Sequence, residues 1–352
     1  MATNFEEMFW GKEVHQEPND RLSIFRSLKH KFLAYLVLSR LPSLLTVAAF
    51  FLLGQWSFKQ NFIFYPSVLM LLCLLCVQFV NGLTNTAFDK QLDIFSRKYT
   101  VWVFKYVSLK EMLLASVFFS IISLCVAWFL NYIIFLTTLV LVITTIVYVM
   151  PPLRLKTHPP FDVIINALIF GTFPFLLGWL ISEGNLTMST LIYGTIMGLA
   201  AATYYLLFSL QDIKTDQEFG IKTSCTKLGY SGTLDISVII WVAITILSVM
   251  VSGLLSIVSI SFIICMPLIF ATNIIAKKFT KYDLVGKAVG FMLGITGMIW
   301  VIVIFLSFSL QTPSYVPITF FIISSIYFYF GLRIYVKIGR KLYLVSKTGN
   351  SN

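Results

Sequence analysis

Charge is what this chain has least of. Only 12% of its 352 residues are Asp, Glu, Lys or Arg, against about 25% in an ordinary soluble domain, while 58% are hydrophobic and 16% aromatic. A polar shell cannot be built from that supply, which excludes a soluble globular fold. Histidine is scarcer still. His15, His30 and His158 all lie in polar segments, and no nucleophile–His–Asp arrangement is apparent, so hydrolytic or covalent catalysis has no support. The five cysteines are scattered, with Cys73, Cys125 and Cys265 in apolar runs where a thiol behaves as a small hydrophobe. That excludes a disulfide framework. Cys73 and Cys76 form a CxxC, but inside an apolar run with no second pair they read as packing, not as a redox or zinc site. The first 30 residues lack a continuous apolar core and carry Glu6, Glu7, Glu13, Glu17 and Asp20 among basic residues. They are not a secretory signal peptide.

What is present is a succession of apolar runs, each near the roughly 20 residues that a helix needs to cross a hydrocarbon core. Spans are expected near 32–53, 62–84, 109–129, 132–150, 163–181, 189–210, 234–254, 257–275, 288–310 and 318–335. The expected fold class is therefore an all-α polytopic membrane protein. Lys and Arg near helix ends remain on the cytoplasmic side during insertion, and ten spans divide the basic residues sharply: Lys59 alone falls on the far side, and among carboxylates only Glu183 does. Both termini are expected to be cytoplasmic. The net charge of +11 then reads as topogenic, without a nucleic-acid role, and its face attracts acidic lipid headgroups and anionic substrates.

Two acidic clusters stand out. In Val80-Asn-Gly-Leu-Thr-Asn-Thr-Ala-Phe-Asp-Lys-Gln-Leu-Asp93, the residues Asn85, Asp89 and Asp93 recur at steps of four, which places their oxygens on one helix face. Aligned carboxylates repel unless a cation bridges them. After the sixth span, Asp212 and Asp216 repeat the spacing and lead into Gly220-Ile-Lys222-Thr223. Four crossings separate the clusters, so both fall at the cytoplasmic mouth. Paired carboxylates with room for phosphate oxygens and water suit Mg²⁺, and two pairs could hold a diphosphate between them. Read as solvated loop charges, either pair would be unremarkable alone; two on the same side of so acid-poor a chain favour function, since ionisable groups at membrane depth are functional candidates.

These residues resemble the UbiA superfamily of intramembrane prenyltransferases, whose Asp-rich motifs read approximately N-D-x-x-D-x-x-x-D and D-x-x-x-D. Asn85, Asp89 and Asp93 match the first motif, and Asp212 and Asp216 the second. Tyr148-Val-Met-Pro-Pro-Leu-Arg154-Leu-Lys156 resembles the loop after the fourth helix, Gly220-Ile-Lys222-Thr223 the tail of the second motif, and Ser39-Arg40-Leu-Pro42 a basic position at the first span. The resemblance runs from about residue 40 to 310. It implies a nine-helix UbiA-like bundle in a catalytic domain over 31–310, preceded by a cytoplasmic segment (1–30) and followed by one extra C-terminal transmembrane helix (311–337) and a tail (338–352). Thr86 stands where the family usually has Asp, and Phe95-Ser-Arg97-Lys98 stands in place of an Arg-Pro element.

The activity implied is Mg²⁺-dependent prenyl transfer from an isoprenyl diphosphate to a lipophilic, aromatic acceptor. Two Mg²⁺ ions on Asn85, Asp89, Asp93, Asp212 and Asp216 would neutralise the leaving group, with Arg40, Arg97, Lys98, Arg154, Lys156 and Lys222 as further cations. Tyr148 and Tyr205 would line the cation's path, and Asn166 would bond the acceptor or a neighbouring helix. A membrane terpene cyclase of the same superfamily, needing no acceptor, is the alternative. A transporter is disfavoured because transporters place charged sites near the bilayer midplane, whereas here the charges gather at one mouth.

Overall fold

Hydropathy merges residues 32–53 into one span, but in the computed structural model the chain turns at Ser39 and Arg40 between two helices, α1 (Arg21–Leu38) and α2 (Leu41–Lys59). The structure describes residues 21–59, 63–95, 99–182, 184–254 and 256–278. The expected ninth and tenth spans, the tail, Arg97 and Lys98 lie outside the described residues. Arg40 adopts φ 47°, the Ser39 hydroxyl donates to Leu36 O at 2.6 Å, and the Ser43 hydroxyl donates to Arg40 O at 2.7 Å. Pro42 sits in the first turn of α2, where its missing N–H costs nothing. Arg40 directly precedes α2 and Lys59 ends it, so the order of charges along the first span is unchanged.

Among the described residues every element is helical. α3 (Phe64–Phe88) is followed by the short α4 (Lys90–Phe95) and a 3₁₀ segment over Tyr99–Lys105. α5 (Leu109–Leu130) and α6 (Tyr132–Val149) come next, then α7 (Phe161–Ile181) and α8 (Met188–Ser209). The short α9 (Ile213–Glu218) leads to α10 (Ser224–Ser252) and α11 (Ile257–Lys278). Six of these, α3, α5, α6, α7, α8 and α10, are long and apolar enough to cross a membrane. Helix starts are written locally: Ser108 and Glu111 exchange side chain and backbone bonds as a capping box for α5, and Thr223 and Thr226 do so for α10.

Hydrocarbon supplies no hydrophobic drive between helices, so close packing of small residues must do so. α2 meets α7 through glycines: a Cβ on Gly54 would lie 2.0 Å from Phe175 O, and one on Gly178 would lie 1.8 Å from Phe51 O. α7 carries a π turn at Leu168–Thr172, whose Thr172 hydroxyl donates to Gly194 O of α8 at 3.0 Å. α3 packs along α5, and α8 along α10. The CxxC is packing: Cys73 is buried with its thiol 3.3 Å from Ser123 O, and neither Cys73 nor Cys76 is in a disulfide.

Candidate active site

The first acidic motif straddles the end of α3. Asp89 closes that helix, yet Asp89 N donates to Asn85 O at 3.0 Å and Asp93 N to Asp89 O at 2.8 Å. Helical register therefore persists through the boundary, and Asn85, Asp89 and Asp93 share a face as their spacing requires. Asp89 and Asp93 are buried, and so is Thr86 beside them.

The loop after α6 comes to meet this face. Arg154 N donates to Met150 O at 2.9 Å, Arg154 turns through φ 38°, and the Thr157 hydroxyl donates to Arg154 O at 3.0 Å. That compact turn aims two cations at one carboxylate. Arg154 Nη2 donates to Asp89 Oδ1 at 2.8 Å, while Lys156 Nζ pairs with Asp89 Oδ2 and donates to Asn85 Oδ1 at 3.1 Å. The Lys156 side chain is only 12% exposed. Burial holds its ammonium below the usual lysine value; Asp89 opposes that shift, and the charges of Arg154 and Arg40 add to it. Arg154 Nε is buried with no acceptor.

The second motif is organised separately. Asp212 directly precedes α9 without a side-chain capping bond, Asp216 N donates to Asp212 O at 2.8 Å, and Ile221 N donates to Asp216 O at 2.8 Å. Gly220 takes φ +67° in the turn that follows, a conformation glycine adopts without strain. Asp216 is buried with the Thr223 hydroxyl 3.5 Å from its Oδ2, whereas Lys222 is exposed. Among the described residues no three of the His, Cys, Asp and Glu side chains converge on a common point. The backbone bonds of each motif set two carboxylates one helical turn apart, the donor chemistry with which Mg²⁺ is held when phosphate and water complete its shell.

Sequence reasoning passed over Asp162. It is fully buried in the first turn of α7, accepting from Ser224 N at 2.7 Å, the Ser224 hydroxyl at 2.5 Å and the Tyr205 hydroxyl at 3.2 Å. One turn on, Asn166 Nδ2 donates to the Tyr148 hydroxyl of α6 at 2.6 Å and to Asp162 O at 3.2 Å. Tyr148, Tyr205, Asn166 and Asp162 thus form one buried polar group. Asn81 was also missed: it extends the row of four-residue steps inward from Asn85, and its Nδ2 is buried without a partner. The step of four was the available signal.

A helical membrane bundle that carries two aspartate pairs, one of them engaged by a buried lysine and an arginine, defines an intramembrane protein of the multi-pass class. The chain belongs to the UbiA prenyltransferase family, whose model matches residues 43–284. Solved structures agree in fold. A UbiA homologue from Archaeoglobus fulgidus bound to GPP and Mg²⁺ superposes with TM-score 0.58 at 23% identity, covering 77% of this chain and 99% of that one. The apo UbiA homologue from Aeropyrum pernix gives 0.62 at 19% identity, covering 75% and 97%. Among curated proteins, a lycopene elongase/hydratase of Haloarcula japonica is 36% identical over 94 residues, 27% of this chain. The chain spans about a third of that relative's length in the match.

Proposed function

We infer that the protein transfers an isoprenyl group from an allylic diphosphate to a lipophilic acceptor, using the cytoplasmic mouth of its bundle as the diphosphate site. The observation that carries this reading is the convergence of Arg154 and Lys156 on Asp89 and Asn85, inside a family of intramembrane prenyltransferases. Asn85, Asp89 and Asp93, with Asp212 and Asp216, would hold Mg²⁺, two ions in all, which would supply charge neutralisation to the departing diphosphate. Arg154 and Lys156 donate to the same oxygens, Arg as a fork and Lys as a point charge. The Arg154 Nε–H, buried without an acceptor, is one donor such an anion would satisfy. Arg40 and Lys222 extend the positive rim; Arg97 and Lys98, assigned to the diphosphate from sequence, lie beyond the described residues. The Tyr148 and Tyr205 rings attract the allylic cation, an effect worth about 0.5–2 kcal/mol per ring, and Asn166 holds Tyr148 in place.

An aromatic acceptor follows from the family resemblance, while the relative named lycopene elongase/hydratase favours a polyene. Cyclisation without an acceptor is the competing chemistry, and the replacement of the Arg-Pro element by Ser96-Arg97-Lys98 is what favours it. Purified protein is incubated with geranyl, farnesyl and geranylgeranyl diphosphates and Mg²⁺, with an aromatic acceptor, with a polyene, and with neither. Mg²⁺-dependent diphosphate release that falls at least about 100-fold in Asp89→Ala and Asp212→Ala is expected. Release that requires an acceptor identifies a transferase, and release with a cyclic product alone identifies a cyclase. No release under any condition, with variants indistinguishable from the parent, defeats both.

A further inference from the structure

Asp162 is the one carboxylate among the described residues with no exposed surface at all, yet no role in holding a metal or a phosphate falls to it. Burying a carboxylate is costly unless hydrogen bonds replace its water. Here three donors do so, and two of them, the backbone N–H and the hydroxyl of Ser224, belong to the first residue of α10. The carboxylate therefore also sits at the positive end of a helix dipole. Its third donor is Tyr205, from the last turns of α8.

The neighbours on either side are what give this anchor a reach. On the N-terminal side, Asp162 follows Lys156 by six residues, and the bonds His158 N to Leu155 O, Phe161 N to His158 O and Asp162 N to His158 O, at 3.1, 2.8 and 3.3 Å, run continuously between them. Lys156 and Arg154 end on the first acidic motif. On the other side, Ser224 directly follows Thr223, whose hydroxyl lies 3.5 Å from Asp216 of the second motif. A continuous path of named bonds thus runs from Asp89 through the loop to Asp162, and from Asp162 through Ser224 and Thr223 to Asp216.

We propose that Asp162 is a positioning residue that sets the separation and orientation of the two acidic motifs, so that both engage one magnesium diphosphate. The inference rests on the diphosphate-site reading above. Side chains that orient metal ligands from behind contribute about 10–100-fold to metal affinity; Asp162 acts one step further back, reaching Asp216 through Ser224 and Thr223 and Lys156 through the loop between them, and that range bounds its effect from above. Asn can replace Asp at 162 with its bonds kept: turned so that Oδ1 accepts from Ser224 N and Tyr205, its amide N–H meets the Ser224 hydroxyl oxygen. Ala cannot.

The test is thermal stabilisation of the detergent-purified full chain by inorganic diphosphate, titrated with Mg²⁺, in the parent and in Asp162→Ala, Asp162→Asn and Ser224→Ala. Asp162→Ala is expected to raise the Mg²⁺ concentration at half-maximal response by up to about 100-fold, Ser224→Ala to raise it less, and Asp162→Asn to restore it close to the parent. A mere fold staple would lower the melting temperature and leave that midpoint fixed. Unchanged midpoints in Asp162→Ala and Ser224→Ala, with a normal parent response, overturn this inference alone, and so does an Asn variant as impaired as Ala. A parent that shows no Mg²⁺-dependent response to diphosphate overturns the diphosphate-site reading and this inference with it. If Asp162→Ala does not fold, Ser224→Ala, which deletes only the 2.5 Å bond, decides the matter.

Discussion

Replacing Lys156 by Met separates what this residue does for folding from what it does for chemistry. Met keeps the length of the side chain and removes its charge. Two unit charges about 4 Å apart attract by ~4 kcal/mol at an effective dielectric near 20, so the pairing with Asp89 is substantial by itself. Yet the Lys156 ammonium is held below the usual lysine value, burial first and the repulsion of Arg154 and Arg40 after it outweighing Asp89. The charge is thus no net asset to the unloaded fold, and Asp89 keeps Arg154 at 2.8 Å. Because Asp89 retains Arg154, the unfolding stability of Lys156→Met should fall by less than about 3–5 kcal/mol, the cost of a fully broken buried pair. A fixed cation aimed where negative charge develops contributes about 10²–10³ in kcat, about 2.7–4 kcal/mol. The assay is single-turnover diphosphate release from a radiolabelled allylic diphosphate, run beside detergent-phase thermal melts. A variant whose kcat/KM lies within about threefold of the parent, some 0.7 kcal/mol, would show Lys156 to be a topogenic charge and refute the reasoning.

Gly82→Ala should disturb the site from behind: its Cβ would stand 1.7 Å from Leu38 O and 3.5 Å from Arg40 Cγ, forcing the turn that carries Arg40 to move. A stability loss of about 1–3 kcal/mol with reduced diphosphate release is expected in melts and turnover, while Gly194→Ala, facing side-chain atoms at 3.3–3.5 Å, should come close to the parent in both. Titration of Lys156 predicts opposite pH trends for binding and stability. Its folded pKa lies below the ordinary 10.5, so between those two values the unfolded chain holds more protons and stability rises with pH, whereas diphosphate affinity falls as the ammonium is lost. Lys156→Arg should move the alkaline loss of diphosphate binding to higher pH, because a guanidinium stays charged; an unmoved alkaline limb would assign that titration to another group.

Helix-length hydropathy sufficed for the six described helices long and apolar enough to cross a membrane, and a step of four residues sufficed to align Asn85, Asp89 and Asp93. The break at Ser39–Arg40 escaped because a window of about 20 residues averages two polar positions away, although Pro42 just beyond them is a helix-start signal. Asp162 escaped for a different reason. A single carboxylate after Pro159-Pro160 at the edge of a span looks like a solvated loop charge; that it is buried depends on where Ser224 and Tyr205 arrive, 62 and 43 residues later. The attachment of Arg154 and Lys156 to Asp89 was equally out of reach of spacing, because it depends on how the loop turns.

Local charge balance around Asp89 links these details to the proposed chemistry. One carboxylate receives two cations, Arg154 and Lys156, and the neighbouring Thr86, where the family usually carries Asp, adds a buried neutral side chain in place of a second anion. Those contacts gather two cations about one buried carboxylate before any substrate arrives, in a place where burial weakens screening. A polyanionic headgroup is the complementary ligand, and to bind it the two basic side chains must exchange Asp89 for phosphate oxygens, leaving the carboxylate free to take a metal cation in return. On that account the carboxylates and the basic loop belong in direct contact, each holding the other's charge in a dry site until substrate and metal arrive together. Diphosphate and Mg²⁺ should accordingly bind with positive coupling, each weak alone.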